Sequence, residues 1–263
     1  MKRTPEEFQK AFLDVLQEGR YGTPSLWEEY LRNHLTREGA RVYALEHCVF
    51  AANFPRWLAN IAGNCPYLEV RKFLIENMFV EEVNDPTITT GHYESMVDFT
   101  VALGVDRDYI YAYAGAPLTR MRIVYSDWIS RNLPWLEAMA AIEGDEVSRG
   151  NEMIKRIGDR ARTSRKMWQK LGLADEALEH WDAADAADSE EGGHGDLPLV
   201  ILKKYADTEE KQDGCLRAAR ERQATNRIWF DQIGVWAYKA SGLPAPSLDR
   251  QPIPAPVMAL TPA

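Results

Sequence analysis

Several ionisable residues in this 263-residue chain stand on helical stripes that are otherwise apolar, and their types are those of a metal site. Leu74, Met78 and Glu81 recur at i, i+4 and i+7, so an apolar face ends in a carboxylate. His92, Met96, Phe99 and Leu103 put an imidazole on the inner face of the next segment. Leu136, Met139 or Ala140, and Glu143 repeat the pattern with an acid. Trp181, Ala184, Asp188 and Glu191 share a further face, with His194 one turn beyond if the helix continues through Gly192-Gly193. A buried charge needs a partner, so inward carboxylates and imidazoles on separate helices call for ion pairs or a cation. Oxygen and imidazole donors converging inside a bundle are the ligands that non-haem iron or manganese requires. Taken singly, an inward Glu or His is more often a hydrogen-bonded core residue or a half-exposed helix end, and it is four on separate helices that shift the balance.

The elements that must hold these residues are helices. Apolar positions recur with a 3.6-residue period and almost never alternate, which predicts an all-α protein. Thr4-Pro5-Glu6-Glu7 combines an N-cap, a proline at the first helical position and acids on the dipole, opening a helix through Leu16. Thr23-Pro24 opens a short one by the same device. Thr36-Arg37-Glu38 leads into a long apolar segment from Val42 to Ile61, closed by Gly63-Asn64. Further helices are predicted from Pro66 to Glu82, His92 to Leu103, Pro117 to Arg131 and Pro134 to Glu143, then over 145–170, 174–191, 194–206 and 208–240. Short connections between long amphipathic helices predict one antiparallel bundle over residues 1–242. Residues 243–263 hold Pro244, Pro246, Pro252, Pro254, Pro256 and Pro262, and read as a weakly ordered tail.

Composition narrows the function. With 31 Lys+Arg against 40 Asp+Glu the net charge is −9, which repels a phosphate backbone and argues against nucleic acid. No apolar run approaches the roughly 18 residues that a spanning helix needs, so no membrane partner is expected. Nothing near the start resembles a signal peptide. Cys48, Cys65 and Cys215 are too few for a disulfide framework or zinc cluster and read as buried small hydrophobes in a reducing compartment, which places the chain in the cytoplasm.

Phe54-Pro55-Arg56-Trp57-Leu58, Cys65-Pro66, Arg71-Lys72-Phe73-Leu74, Asn77, Glu81-Glu82, His92 and Phe99-Thr100-Val101-Ala102-Leu103-Gly104-Val105 form a series of motifs in a particular order. That series resembles the haem-oxygenase-like diiron oxidases, of the superfamily of thiaminase II and pyrroloquinoline-quinone synthase, between Leu31 and Ile233. The resemblance implies a haem-oxygenase-like bundle with Glu81, His92 and Glu143 as catalytic metal ligands and one or two iron ions as cofactor. Members carry a His-x3-Asp-x2-His motif on the last metal-bearing helix, and here this chain departs. Without a gap the motif reads Ala184, Asp188 and Glu191; aligned on His194-Gly195-Asp196-Leu197 it needs an insertion and makes His194 the final ligand. His180, four residues before Ala184 on the same face, is an alternative donor. Where aminobenzoate-forming members carry a tyrosine this chain has Trp27, which the resemblance sets against self-sacrificing aminobenzoate synthesis.

The resulting expectation is an oxidoreductase that uses non-haem iron and dioxygen on a small, amino-acid-derived metabolite in a biosynthetic pathway, working as a homodimer. The alternative is a metal-free relative that binds or oxidises an aromatic or quinone-type ligand, or a degenerate ligand-binding protein. Other candidates have simpler roles. Glu46 and His47 point about 100° apart on a helix, so at most one is expected to face the core. Cys48 lacks an acid–base partner and reads as packing. Lys155, Arg156, Arg160, Arg162, Arg165 and Lys166 read as a solvated helix face, although they also suit a substrate carboxylate. Trp229, Phe230 and Trp236 read as core or a dimer surface.

Overall fold

Thr4 caps α1 (Pro5–Gln17) reciprocally: its hydroxyl accepts from the Glu7 amide at 3.2 Å and the Glu7 carboxylate accepts from the Thr4 amide at 2.8 Å. Ser25, Thr36, Asp106 and Thr208 cap α2 (Leu26–Asn33), α3 (Arg37–Ala51), α7 (Arg107–Ala112) and the last helix one way, with side-chain oxygens accepting from the first turn. The computed structural model of the chain describes residues 1–86, 88–161, 165–183 and 195–248. None of the described residues is in a strand.

The segment from Val42 to Ile61, predicted as one helix, is two. Pro55 has no N–H to donate to the carbonyl of Ala51, so α3 stops there and α4 (Phe54–Asn64) starts with the proline in its first turn, where no donor is missed. The bundle continues with α5 (Leu68–Glu82), α6 (His92–Ala102), the unpredicted α7, α8 (Pro117–Asn132) and α9 (Trp135–Ile142). The predicted helix over 145–170 is instead a series of short pieces: α10 (Gly144–Val147), α11 (Asn151–Ile157) and α12 (Arg165–Gln169). Gly150 begins a new turn and Gly158 takes a positive φ of 64° that ends α11. Residues 179–183 are helical, followed by α13 (Leu197–Tyr205) and α14 (Glu209–Ala240).

At 32 residues α14 is about 48 Å long and packs along α9, α2, α3, α1 and α8. Gly234 lets α14 touch α2: a Cβ there would lie 2.4 Å from the Leu26 carbonyl carbon and 2.5 Å from the Trp27 nitrogen. Helix α9 is buried all round. Leu136 and Ala140 face a core with Phe8, Phe12 and Leu16, whereas Met139 and Ile142 face another with Trp57, Leu58 and Leu74. The third core is aromatic, built from Trp27, Tyr30, Tyr43, Phe99, Trp168, Trp181 and Trp229, with Leu243 and Ala245 leaning on it beyond the end of α14. Because α9 is enclosed, the residue that follows it, Glu143, is enclosed as well.

Candidate metal centre

Glu143 sits where α9 bends into α10 and is fully buried, at 0 % exposure. Its Oε1 accepts one long hydrogen bond, 3.5 Å, from the Asn77 amide of α5. Among the described residues its Oε2 has no partner, and neither has the Asn77 Oδ1. Burial pushes the Glu143 carboxyl well above its ordinary value, and the carboxylates of Glu146 and Glu81 push it further the same way.

Glu81 at the end of α5 and His92 at the start of α6 meet directly, with Glu81 Oε1 3.0 Å from His92 Nδ1. The other ring nitrogen, Nε2, is 2.6 Å from Asp85 Oδ2 in the α5–α6 connection. Both ring nitrogens thus donate, which defines an imidazolium. Burial alone would lower its pKa, but the two carboxylates outweigh that and raise it to about 10.

His180 lies across from His92, ring centroids 6.2 Å apart. Ser95 Oγ donates its proton to the His92 carbonyl at 2.8 Å and lies 3.0 Å from His180 Nδ1. The His180 contact is therefore made by Nδ1–H donating to Ser95, which leaves the lone pair on Nε2. Burial, then the neighbouring rings of His47 and His92, hold the His180 pKa well below its ordinary value, so the ring is neutral. His47 is 6.0 Å beyond His180 and 3.3 Å from the Tyr43 hydroxyl through Nδ1; burial and the guanidiniums of Arg149, Arg122 and Arg20 bring it to about 3.

Of the sequence candidates, Glu81 and His92 are in contact, while Glu143 hydrogen-bonds to neither and feels Glu81 only through space. Asp188, Glu191 and His194, with Ala184, lie outside the described residues. His180 is the histidine of that last segment that the fold brings to His92. Glu46 and His47 both turn inward: Glu46 accepts from the Tyr113 hydroxyl and, at 3.1 Å, from the Ala116 amide. The expectation that only one would face the core fails because α3 is flanked by α6, α8 and α14. Asp85 was missed because it sits in a polar turn, Asn84-Asp85-Pro86, where no periodicity marks it. Glu146 was also missed, although its i, i+3 spacing from Glu143 puts both on one side of the bend. The basic run is no continuous helix face: Arg156 pairs with Asp14, Arg160 with Glu28, and Arg165 with Asp175 and Asp182.

Among the described residues no three His, Cys, Asp or Glu side chains converge with ligand spacing. The donor chemistry nonetheless fits iron. Glu143 offers a desolvated oxygen without a partner, Glu81 and Glu146 add oxygen donors, and His180 presents a neutral nitrogen fixed in tautomer by a hydroxyl behind it.

The fold defines an all-helical, haem-oxygenase-like protein. The chain superposes on a domain of unknown function with a heme oxygenase-like fold from Shewanella denitrificans with a TM-score of 0.67 and 16 % identity, covering 94 % of this chain and 96 % of that one. On a TenA homolog from Pseudomonas syringae pv. tomato the values are 0.64 and 12 %, covering 87 % and 91 %. Residues 41–226 match the iron-containing redox enzyme family, and the chain belongs to it. It is 25 % identical over 122 residues to a 4-aminobenzoate synthase from Chlamydia muridarum, which is 45 % of this chain and 50 % of that protein. It is 26 % identical over 116 residues to the 4-aminobenzoate synthase of Chlamydia trachomatis serovar D, 43 % and 48 % of the two chains. The chain thus spans about half the length of the curated relatives it matches.

Proposed function

We propose that this member of the iron-containing redox enzymes is a dioxygen-dependent oxidase or oxygenase of a small, amino-acid-derived metabolite in a biosynthetic pathway. The observation that carries the reading is Glu143: a fully buried carboxyl whose Oε2 has no partner among the described residues and which the carboxylates of Glu146 and Glu81 push further toward the protonated form. Bound iron would supply the redox chemistry and the activation of dioxygen. Glu81, Glu143 and His180 would hold it, with His92 joining when it releases Glu81 or Asp85. Asp188, Glu191 or His194 would complete a second, weaker position. Ser95 fixes the tautomer of His180 and Asn77 orients Glu143. Met96, at 0 % exposure, and Trp181, at 2 %, keep water from this region. The relatives named 4-aminobenzoate synthases support a biosynthetic role; Trp27 in place of the tyrosine of aminobenzoate-forming members favours an external substrate.

Anaerobic Fe(II) titration followed by oxygen exposure, read optically, tests the proposal. Uptake by the wild type and its loss in the double variant Glu143→Gln, His180→Ala are expected; equal uptake by both, or none by the wild type, refutes it. The metal-free alternative draws on His92, whose two nitrogens are both committed to carboxylates. Elemental analysis of protein produced with supplemental iron separates the two readings.

No described helix is long and apolar enough to cross a membrane. The three free, buried cysteines support a reducing, cytoplasmic setting. The exposed apolar side chains Met121, Val124 and Trp128 on one face of α8 support a homodimer, which sedimentation equilibrium would check.

A further inference from the structure

A cleft between the π-helical turn Glu18–Gly22, α2 and α14 is lined by Arg20, Trp27, Tyr43, Trp181, Gln223 and Phe230. Its floor adjoins the candidate metal centre. Tyr43 reaches His47 through its hydroxyl, and Trp181 follows His180 with ring centroids 4.8 Å apart. Among the described residues, five arginines line this cleft against one acid, Glu28. Four have carboxylate partners: Arg32 and Arg160 with Glu28, Arg149 with Glu146, and Arg227 with Asp231.

Arg20 has none. Among the described residues its half-buried guanidinium makes no ion pair and no hydrogen bond, and rests only on the rings of Phe230 and Tyr21, 5.5 and 5.6 Å from their centroids. Two further groups in the same cleft lack partners among the described residues: the buried Trp181 Nε1–H, a donor, and the buried Gln223 Oε1, an acceptor. Trp27 and Tyr43 stack face to face at 4.5 Å with 7° between planes, so the stack turns its ring edges toward the cleft beside them.

We propose that this cleft binds the substrate as a carboxylate carrying a planar ring, with the carboxylate on Arg20 and the ring among Phe230 and the edges of the Trp27–Tyr43 stack. The proposal rests on the oxidase reading for the word substrate, but not for the binding itself. A guanidinium offers a fork of N–H donors that a carboxylate fills at two points, and in a partly desolvated cleft that pairing selects anions over neutral analogues. Trp181 Nε1–H and Gln223 Oε1 supply one further donor and one further acceptor for polar substituents. The far end of the molecule then lies toward His47 and His180.

Tryptophan fluorescence of the metal-free protein, titrated with phenylacetate, 3-phenylpropanoate and L-phenylalanine and with the matched amides, reads the binding directly, because Trp27 and Trp181 line the cleft. At least one carboxylate is expected to quench saturably, and its amide to bind about tenfold or more weakly, the loss expected for one charge-assisted pair. Arg20→Gln should lose a similar factor, while Arg32→Gln, whose arginine already has a carboxylate, should change affinity by less than about threefold. Amides that bind as well as the acids, an Arg20→Gln variant that folds and keeps its affinity, or no binding by any of the panel overturns the proposal. The carboxylate–amide comparison in the wild type stands even if Arg20→Gln does not fold. Repeating the titration on Glu143→Gln separates the two readings. Carboxylate selectivity that persists where iron uptake fails in all forms leaves the cleft and removes the oxidase; iron uptake without selectivity does the reverse.

Discussion

Replacing Asp145 by asparagine should destabilise the whole bundle, and the structure gives the scale. Asp145 lies on α10, two residues beyond Glu143, with its carboxylate in the interior. Its Oδ2 accepts from Arg222 Nη2 and Nε at 2.9 and 3.2 Å, and its Oδ1 from Asn226 and Gln223 at 2.6 and 3.2 Å. Arg122 stands 3.9 Å away, its guanidinium between the rings of Phe50 and Trp229, 4.4 and 4.5 Å from their centroids. Burial would raise the Asp145 pKa, but Arg222 and Arg122 reverse that and hold the carboxyl below its ordinary value. Asparagine keeps the shape and removes the charge. Two guanidiniums, with side chains 0 % and 5 % exposed, then face each other with no counter-ion. Breaking a buried pair in this way costs about 3–5 kcal/mol, out of a total of about 5–15 kcal/mol. For a domain of this size each kcal/mol lowers Tm by roughly 2–4 °C, so a loss of about 6–20 °C is expected. Urea denaturation and calorimetry of the metal-free protein give both quantities, and adding Arg222→Met should return part of the loss because the uncompensated charge is removed with it. An Asp145→Asn variant less than about 1 kcal/mol weaker than the wild type would put this network in the class of surface pairs and refute the reasoning.

Further outcomes follow from the same structure. Cys48 and Cys215 are raised by burial to about 11 and about 12, and Cys65 is raised by burial as well, so iodoacetamide at pH 8 should label none of them until urea is added. A thiol whose folded pKa lies above its unfolded value binds its proton more tightly when folded, so stability should fall as pH rises from 9 toward 11; fast native labelling contradicts this. Gly234→Ala forces a methyl into the α2 backbone at Leu26 and Trp27 and should lose about 1–3 kcal/mol, read by thermal unfolding, with no loss meaning that α2 and α14 are not in contact there. Ser95→Ala removes the hydroxyl that fixes the His180 tautomer and should weaken Fe(II) binding about 10–100-fold in a competition titration, with unchanged affinity excluding that role.

Local chemistry in the sequence marks where most of the helices begin. Thr4, Thr36 and Thr208 act as caps, and Pro5 and Pro117 stand in first turns, because these effects involve residues within four positions of one another. The stripes ending in Glu81 and Glu143 and beginning at His92 are visible for the same reason, since burial on one helix face follows from spacing. The partners of those residues are a different matter. Ser95 meets His180 across 85 positions, Asp145 meets Arg222 across 77, and Asn77 meets Glu143 across 66, and no local pattern encodes such pairings. The break at Pro55 is legible, since proline lacks the donor a continuous helix needs there, whereas the breakage of 145–170 reflects packing of its short pieces against α1 and α13, which charge spacing does not report.

The net charge of −9 likewise hides how charge is arranged inside. Glu81, Asp85, Glu143 and Glu146 gather on one side of the interior, where His92 pairs with Glu81 and Asp85, and Arg149 with Glu146. Arg20, Arg122 and Arg222 gather on the other, with Asp145 as the acid between Arg122 and Arg222. Glu146 and Arg149 join the two sides at 2.8 Å. A protein under selection for stability alone would interleave such charges, because like charges in a low-dielectric interior raise each other's energy. Segregation is tolerable if each side is completed by a group of opposite sign, a cation at Glu143 and an anion at Arg20. Each proposed ligand therefore lowers the energy of the zone that binds it, and the two sites adjoin through Tyr43 and His47, which is the arrangement an enzyme needs to bring an anionic substrate to a metal.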